Sequence, residues 1–234
     1  MNLARRDIRL RELMDDPDCD PVALAATLRR FGAVNRMVSG WGTVWRRHLR
    51  PALSDLGRAA RVLDIGSGGG DVTARLARLA ERDGVDVTWL GIDPDARALA
   101  VARQRNRPGL EFRSTDSTAL RDTGERFDAV ISNHVLHHLG DDELHTFLAD
   151  SLALVRPGGT VLHADIERGR IAYALYAAGI VPLQHGTFLR TDGLRSIRRS
   201  YRAPELRAAL TAHGVWHVLR PAPFRLLAVG SGRD

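Results

Sequence analysis

A short apolar run that ends in a carboxylate and a glycine turn is the feature that most constrains the fold of this chain. It lies at residues 61–71 and reads Arg-Val-Leu-Asp-Ile-Gly-Ser-Gly-Gly-Gly-Asp. The apolar residues suit a strand buried on both faces, and the glycines let the backbone turn sharply and approach a ligand. A helical pattern begins at Asp71. The run therefore predicts a nucleotide-binding strand, turn and helix.

The acidic residues of this turn indicate which nucleotide it binds. A dinucleotide fingerprint has a glycine at the position of Asp71, and the carboxylate of Asp64 would repel a pyrophosphate. S-adenosylmethionine carries a cationic sulfonium and an amino group but no phosphate, so carboxylates around its binding loop are favourable. The turn therefore predicts a methyl-donor site.

Four further strand patterns follow at intervals that suit alternating strands and helices. They lie at 87–92, at 110–113, at 127–133 and directly after Arg-Pro-Gly-Gly-Thr at 156–160. Asp93 follows the second pattern, and an acid at the tip of a second parallel strand can accept hydrogen bonds from both ribose hydroxyls. The alternation predicts an α/β fold, Rossmann-like and doubly wound, with a mainly parallel seven-stranded sheet and helices on both faces.

In this order the motifs resemble those of the class I S-adenosylmethionine-dependent methyltransferases, over roughly residues 58–165. The flanks resemble small-molecule enzymes of the ubiquinone-biosynthesis type and actinobacterial natural-product methyltransferases. The resemblance implies that the first motif holds the methionine part of the donor, that the acid after the second strand holds the ribose, and that an acid after the third contacts the adenine. The implied donor site comprises Asp64, Gly66, Ser67, Gly68, Asp71, Asp93, Pro94, Asp116, Ser117 and Asn133.

Composition sets the outer bounds of the function. The 234 residues are 44% hydrophobic and 26% charged, which is typical of a soluble chain with one good core. The chain has no run near 18 apolar residues and no secretory apolar segment at its N-terminus, so we expect a cytoplasmic protein without membrane insertion. Cys19 is the sole cysteine and there is no lysine, which excludes a cysteine zinc cluster, Schiff-base chemistry and a Walker-type loop.

The formal net charge of +6 raises the question of a nucleic-acid partner. The arginines are spread along the chain, apart from a cluster at 190–202 that contains a single tyrosine, Tyr201. A solvated or ion-paired surface explains this cluster, and a site for a small anion is the alternative. Residues 132–135 also lack the Pro-Pro-aromatic pattern of base-modifying methyltransferases. We expect no nucleic-acid partner.

Residues 1–57 predict an N-terminal helical cap on a methyltransferase domain at 58–234. Helical spacing covers 21–34 and 38–53, and Asp20 before Pro21 is a start signal. Trp41 and Trp45 are four residues apart and share a helix face. They either fill the core or line the acceptor cleft as an aromatic wall, and we count both among the predicted substrate contacts.

Residues 166–202 break the alternation of strands and helices. An insertion after the fifth strand lies at the carboxyl edge of the sheet, where ligands bind, so we predict an acceptor lid there. Tyr173 and Arg168 are its predicted substrate contacts, although Asp165 at the tip of the fifth strand could instead form an ion pair with Arg168 or another arginine. Beyond it, residues 204–213 predict a helix, and 215–219 with 224–229 predict the closing pair of strands.

Three histidines crowd the loop after the fourth strand, at 134, 137 and 138. A neutral imidazole can take the proton of a phenol or enol, so His134 is the leading candidate base, with Asp165 and His185 behind it. His138 is a predicted substrate contact, although a structural role is the alternative for it and for its neighbour. His134 and His138 could share a metal with a nearby aspartate, but methyl transfer requires no metal and we predict none.

The sequence therefore predicts methyl transfer from S-adenosylmethionine to oxygen on a phenolic, enolic or polyketide-like small molecule. The alternative is C-methylation of a quinone or polyketide ring, which shares every donor motif. A protein that keeps the donor site but binds ligands without catalysis, and a nucleic-acid methyltransferase, rank below both. The expected partner is an aromatic or polyketide-like acceptor, and we allow for a homodimer.

Overall fold

The computed structural model describes residues 3–232, in which seven strands form one twisted sheet. The strand order is β3-β2-β1-β4-β5-β7-β6, and β7 alone runs antiparallel to its neighbours. This confirms the predicted mainly parallel, seven-stranded sheet. The strands are β1 Ala60–Ile65, β2 Val87–Asp93, β3 Leu110–Ser114, β4 Phe127–Asn133, β5 Val155–Ile166, β6 His217–Leu219 and β7 Arg225–Ser231.

The strand order reverses between β1 and β4, which are hydrogen-bonded neighbours at the centre of the sheet. From β1 the chain adds β2 and β3 on one side, and from β4 it adds β5 on the other. At such a switch point the connections leave in opposite directions, so a crevice opens beyond the carboxyl ends of the two strands. Both strands are almost wholly buried, as their continuous apolar runs predict.

Ten α-helices of the described residues surround the sheet. They are α1 Pro21–Val38, α2 Trp41–Val44, α3 Arg50–Ser54, α4 Asp71–Arg82, α5 Ala96–Ala102, α6 Ser117–Asp122, α7 Asp141–Leu154, α8 Arg170–Gly179, α9 Leu189–Arg199 and α10 Ala203–Leu210. A π-helical turn at Trp45–Leu49 joins α2 to α3. None of the helices among residues 3–232 combines the length and apolarity that a bilayer crossing requires.

The first helix begins as predicted and ends later. The carboxylate of Asp20 accepts hydrogen bonds from the N–H groups of Val22 and Ala23, which caps α1. The helix then continues to Val38, although the prediction placed a break after residue 34. Its buried face, which includes Leu28, packs in one cluster with α5. This tertiary packing outweighs the low helix propensity of Gly32 in the middle of the helix.

The segment between β5 and α10 contains two helices, α8 and α9, where the sequence predicted an irregular insertion. Whether this segment acts as a lid stays a prediction. The fifth strand is longer than expected and begins at Val155, before the Pro-Gly-Gly motif. The sixth is shorter, because residue 215 lies outside it and is exposed.

Gly91 in β2 lies under the ring of Phe112 on the neighbouring strand, and a Cβ built at residue 91 would overlap that ring. The Gly91→Ala variant should therefore lose about 1–3 kcal/mol of unfolding free energy through overpacking. Urea denaturation followed by circular dichroism measures this. The Gly169→Ala control, where a Cβ meets nothing within 4 Å, should change stability by less than about 0.5 kcal/mol. Equal stabilities for the two variants would contradict the packing argument.

Candidate functional site

The glycine turn after β1 adopts a backbone that glycine favours. Gly66, Gly68 and Gly70 all have positive φ, at 71°, 53° and 72°. A Cβ at Gly66 would lie 2.6 Å from Cγ2 of Val135, so the loop after β4 leaves no room for a side chain there. The N–H groups of residues 66 and 67 donate to the carbonyl of Ile92 at 2.9 and 3.0 Å. The turn is thus fixed between two strand ends, at the switch point of the sheet.

Asp64 holds a buried carboxylate beside this turn. Its Oδ2 accepts a hydrogen bond from Oγ1 of Thr73 at 2.6 Å, whereas its Oδ1 has no partner among the described residues. The buried hydroxyl of Ser67 also lacks a partner. Burial raises the pKa of Asp64 to about 7, and the nearby carboxylates of Asp71 and Asp93 add to the rise. Buried polar atoms rarely stay unpaired, so these two atoms indicate a ligand with donor groups and positive charge.

Asp93 at the end of β2 holds the glycine turn in place. Its Oδ2 accepts from the N–H of Gly68 at 2.8 Å, and its Oδ1 accepts from the N–H of Asp95 at 2.9 Å. Burial raises the pKa of Asp93, and burial likewise raises that of Asp71, whose Oδ2 accepts from Nδ2 of Asn35 at 3.0 Å. Three carboxylates therefore surround the turn, and a cationic ligand would relieve their mutual repulsion.

Two predicted donor-site residues lie just after β3, where both already have protein partners. The exposed carboxylate of Asp116 caps α6 by accepting from the N–H of Ala119 at 2.8 Å. The hydroxyl of Ser117 donates to Oδ2 of Asp150 at 2.8 Å. Pro94 is exposed beside the end of β2. The ligand contacts of these three residues stay predictions.

The two tryptophans of the N-terminal helices are fully buried, so the prediction that they line the acceptor cleft is wrong. Trp41 donates from Nε1 to Oδ1 of Asn133 at 3.0 Å and thereby orients a predicted donor-site residue. Trp45 donates to Oδ2 of Asp83, just after α4 and at the opposite edge of the sheet. Both fill the core, which was the alternative that the sequence left open.

His134 follows β4 with a left-handed backbone, at φ 64°. Its Nε2 lies 2.8 Å from Nη1 of Arg225, and because a guanidinium only donates, this nitrogen accepts. Burial and the charge of Arg225 hold the pKa of His134 well below its usual range. About a quarter of the side chain is exposed. The predicted role as a base does not suit this ring, since the guanidinium occupies the lone pair of Nε2.

His137 is a buried histidine between two carboxylates. Its Nδ1 lies 2.8 Å from Oδ1 of Asp165 and its Nε2 lies 3.2 Å from Oε1 of Glu12. Burial opposes its protonation, but the two carboxylates outweigh burial and raise the pKa of His137 to about 9. They hold a histidinium, which in turn keeps the pKa of Asp165 well below its usual range. The predicted role of Asp165 as a base is wrong in this environment: it is buried and already hydrogen-bonded through both oxygens.

The segment at 3–20, which we call the N-terminal strap, brings Glu12 to this site. The carboxylate of Asp192 on α9 accepts from the N–H groups of Leu13 and Met14 at 2.7 and 3.0 Å. The hydroxyl of Ser196, also on α9, donates to Oε1 of Glu12 at 2.6 Å. The sequence prediction missed Glu12 because the strap has no periodic pattern to place it against the loop after β4.

The remaining predicted acceptor contacts do not converge on His134. Arg168 is buried and donates to the carbonyls of Leu3, Ala4 and Ser200 and to Glu205, so its predicted substrate role is wrong. Its ion-pair partner is Glu205, whereas Asp165 pairs with His137 and not with an arginine among the described residues. His138 is 30% exposed, with its Nδ1 3.3 Å from Oδ2 of Asp15. His185 is exposed and Tyr173 half-buried, and neither makes a ring contact or hydrogen bond with His134 in the part of the chain that the structure describes.

Two groups of side chains at this site have the composition of a metal centre. The ligand atoms of Glu12, His137 and His138 lie within 4.8 Å of one another, as do those of His134, His137 and Asp165. Both groups share His137, a cation whose two ring nitrogens already face carboxylates. The hydrogen bonds therefore account for both groups without a metal ion.

Comparison with known proteins finds similarity to methyltransferases. Residues 62–159 match the family model described as a methyltransferase domain. The ubiquinone biosynthesis O-methyltransferase of Brucella ovis is 32% identical over 154 residues, which cover 64% of this chain and 58% of that protein. The protein of the same name from Rhizobium leguminosarum bv. trifolii is 32% identical over 160 residues. The chain thus spans a little over half the length of these relatives.

Solved structures share the fold at low sequence identity. The plantazolicin methyltransferase BpumL, in complex with a triazolic desmethylPZN analog and SAH, superposes with a TM-score of 0.65 at 13% identity, over 95% of this chain and 97% of that one. Human N-acetylserotonin methyltransferase in complex with SAM superposes with a TM-score of 0.61 at 16% identity, over 88% of this chain and 55% of that one. These likenesses concern the fold.

The ion pairs of His137 should make stability fall in mildly alkaline solution. Because the folded pKa of about 9 exceeds the ordinary 6.5, the stabilisation is complete below pH 6.5 and is lost as the pH rises through 9. We expect the wild type to lose on the order of 1–3 kcal/mol between pH 6.5 and 9.5. Urea unfolding at several pH values measures this.

The matched control is His163, a second buried histidine, which faces Ser132 and whose pKa burial lowers to about 3. His137→Gln should flatten the decline of the unfolding free energy between pH 6.5 and 9.5, whereas His163→Gln should keep that decline. An equal decline in wild type and His137→Gln would show that His137 is not the titrating group.

Proposed function

We propose that this chain, whose residues 62–159 form a methyltransferase domain on the class I fold, transfers a methyl group from S-adenosylmethionine to an oxygen of a small-molecule acceptor. The buried, unpaired Oδ1 of Asp64 beside the glycine turn carries this proposal. It offers an acceptor for the cationic methionine part of the donor, at the place where the motif predicts it. The unpaired hydroxyl of Ser67 next to it supports the same ligand.

The chain's own residues supply binding and alignment. When bound, S-adenosylmethionine supplies an electrophilic methyl group on a sulfonium. Asp64 and Ser67 would hold its methionine part, and Asp93 its ribose. Methyl transfer is an in-line displacement, so holding donor and acceptor in line supplies much of the rate. Since Asp165 is committed to His137 and the His134 ring to Arg225, we infer that alignment contributes more than a protein base.

Transfer to oxygen, rather than to carbon, rests on two supports. The relatives named above are O-methyltransferases by name, and the sequence motifs suit an acceptor with an acidic hydroxyl. A phenolic, enolic or polyketide-like acceptor fits best. Incubation with labelled S-adenosylmethionine and a panel of phenols, followed by mass spectrometry, tests this. A product whose label survives ether cleavage would instead carry the methyl group on carbon.

Donor binding should require the charge of Asp93. Asp93→Asn keeps a hydrogen-bond acceptor for the N–H of Gly68 but loses the charge, so charge-assisted bonds to the ribose weaken. We expect the affinity for S-adenosylhomocysteine to fall about tenfold or more. Titration calorimetry measures this, with Asp122→Asn on the exposed end of α6 as the control that should bind normally. Tighter binding of NAD than of S-adenosylhomocysteine by the wild type would refute the proposed function.

Donor binding should also release a proton from Asp64. Its carboxyl group, with a pKa of about 7 in the free protein, must ionise to receive the cationic donor. The affinity for S-adenosylmethionine should therefore fall as the pH drops from 8 to 6, by up to about tenfold per pH unit. Calorimetry in two buffers of different ionisation enthalpy counts the protons released. Asp64→Asn should bind weakly and release none, and proton release that persists in this variant would assign the titration elsewhere.

A further inference from the structure

Arg225, the first residue of β7, is a buried cation without a counter-ion. Only 4% of its surface is exposed, and no carboxylate among residues 3–232 lies within 4.0 Å of its guanidinium. Its Nε donates to the carbonyl of Val38 at 2.7 Å and its Nη1 to Nε2 of His134 at 2.8 Å. Its Nη2 makes no hydrogen bond in the part of the chain that the structure describes. Burying an unpaired charge is costly. We therefore expect a group from outside the chain to supply the missing partner of this guanidinium.

The position of Arg225 places it beside the donor site. It pairs in register with Ile166, the last residue of β5, so it lies at the carboxyl edge of the sheet. Through His134 it is one residue from Asn133, a predicted donor-site residue. The end of α1 closes it from another side, through Val38. Arg225 therefore lies at the same edge of the sheet as the glycine turn, where we expect an acceptor to approach the methyl group.

The charged and titratable groups around Arg225 leave its charge uncompensated. Asp165 attracts it, but that carboxylate is engaged by His137. Tyr176 on α8 donates its hydroxyl to the carbonyl of Leu189, and burial raises the pKa of Tyr176 above its usual range, so it stays neutral. His134 is neutral because its Nε2 accepts from the guanidinium itself. An anion is the partner that this environment lacks.

We propose that Arg225 binds the acceptor through the oxygen that is methylated, and that this oxygen is bound as an anion, the phenolate or enolate form of an acidic hydroxyl. This inference rests on the proposed methyl transfer and specifies its acceptor. The imidazole of His134, about a quarter exposed, orients the guanidinium from the other side. Arg225 is thus a substrate-binding residue and His134 a positioning residue.

The proposed step needs no protein base. The acceptor hydroxyl gives its proton to solvent as it binds, because the adjacent cation favours the ionised form. The anionic oxygen then forms a bond to the methyl carbon while the carbon–sulfur bond breaks, and that electron pair remains on sulfur. A neutral ether and a neutral thioether result, and Arg225 keeps its proton throughout.

The ionisation of a bound phenol tests this without turnover. The probe is 4-nitrophenol, whose phenolate absorbs visible light, added to the full chain saturated with S-adenosylhomocysteine. We expect bound nitrophenol to ionise about 1 to 3 pH units below the free compound in the wild type. Arg225→Lys should retain part of this shift, because it keeps a charge, and Arg225→Gln should abolish it.

The controls separate folding and donor binding from acceptor recognition. Arg168→Gln removes another buried arginine, one whose partners are main-chain carbonyls and Glu205, and should keep the full shift. Calorimetry with S-adenosylhomocysteine, on every variant, reports the donor site. Failure of the wild type to bind S-adenosylhomocysteine would overturn the proposed function itself. Normal donor binding with no nitrophenol binding, with no shift in the wild type, or with an equal shift in Arg225→Gln, would overturn this inference alone.

Discussion

A histidinium buried between two carboxylates connects the parts of the chain that frame the site. His137 comes from the loop after β4, Asp165 from the end of β5 and Glu12 from the N-terminal strap. Asp165 is held by the pairing of β5 with β7, whereas Glu12 and His137 lie in segments outside the sheet. Removing one member of a buried ionic group leaves the others unpaired at a cost of several kcal/mol. The shape of the crevice therefore depends on one protonated ring.

The charges of the site are divided between its two sides. On the donor side, Asp64, Asp71 and Asp93 surround the glycine turn, and burial raises the pKa of all three. On the other side, the buried guanidinium of Arg225 has no carboxylate within 4.0 Å among residues 3–232. Such a division suits a reaction between a cationic donor and an anionic acceptor, because each reactant meets the opposite charge on the protein before it meets the other reactant.

The parts of the structure that the sequence predicted are those with local signals. The glycine turn, the acid after β2 and the strand order follow from short patterns whose geometry admits few alternatives. The acceptor side was harder to predict from the sequence, because its contacts join residues more than a hundred positions apart, such as Glu12 and His137. The spacing of Trp41 and Trp45 could not show that both side chains are buried in the core.

The sequence also contains an unusual buried charge, an arginine that begins an otherwise apolar closing strand. Its chemical type has a consequence for how the crevice behaves. Burial lowers the pKa of Arg225 to about 10, which still leaves the guanidinium charged in any physiological solution. A lysine begins from a lower value, and the same burial would have left its amine partly neutral near pH 7. The chain thus has a permanent positive charge at this edge of the sheet. Binding to Arg225 then depends on pH through the ionisation of the incoming molecule and not through that of the guanidinium.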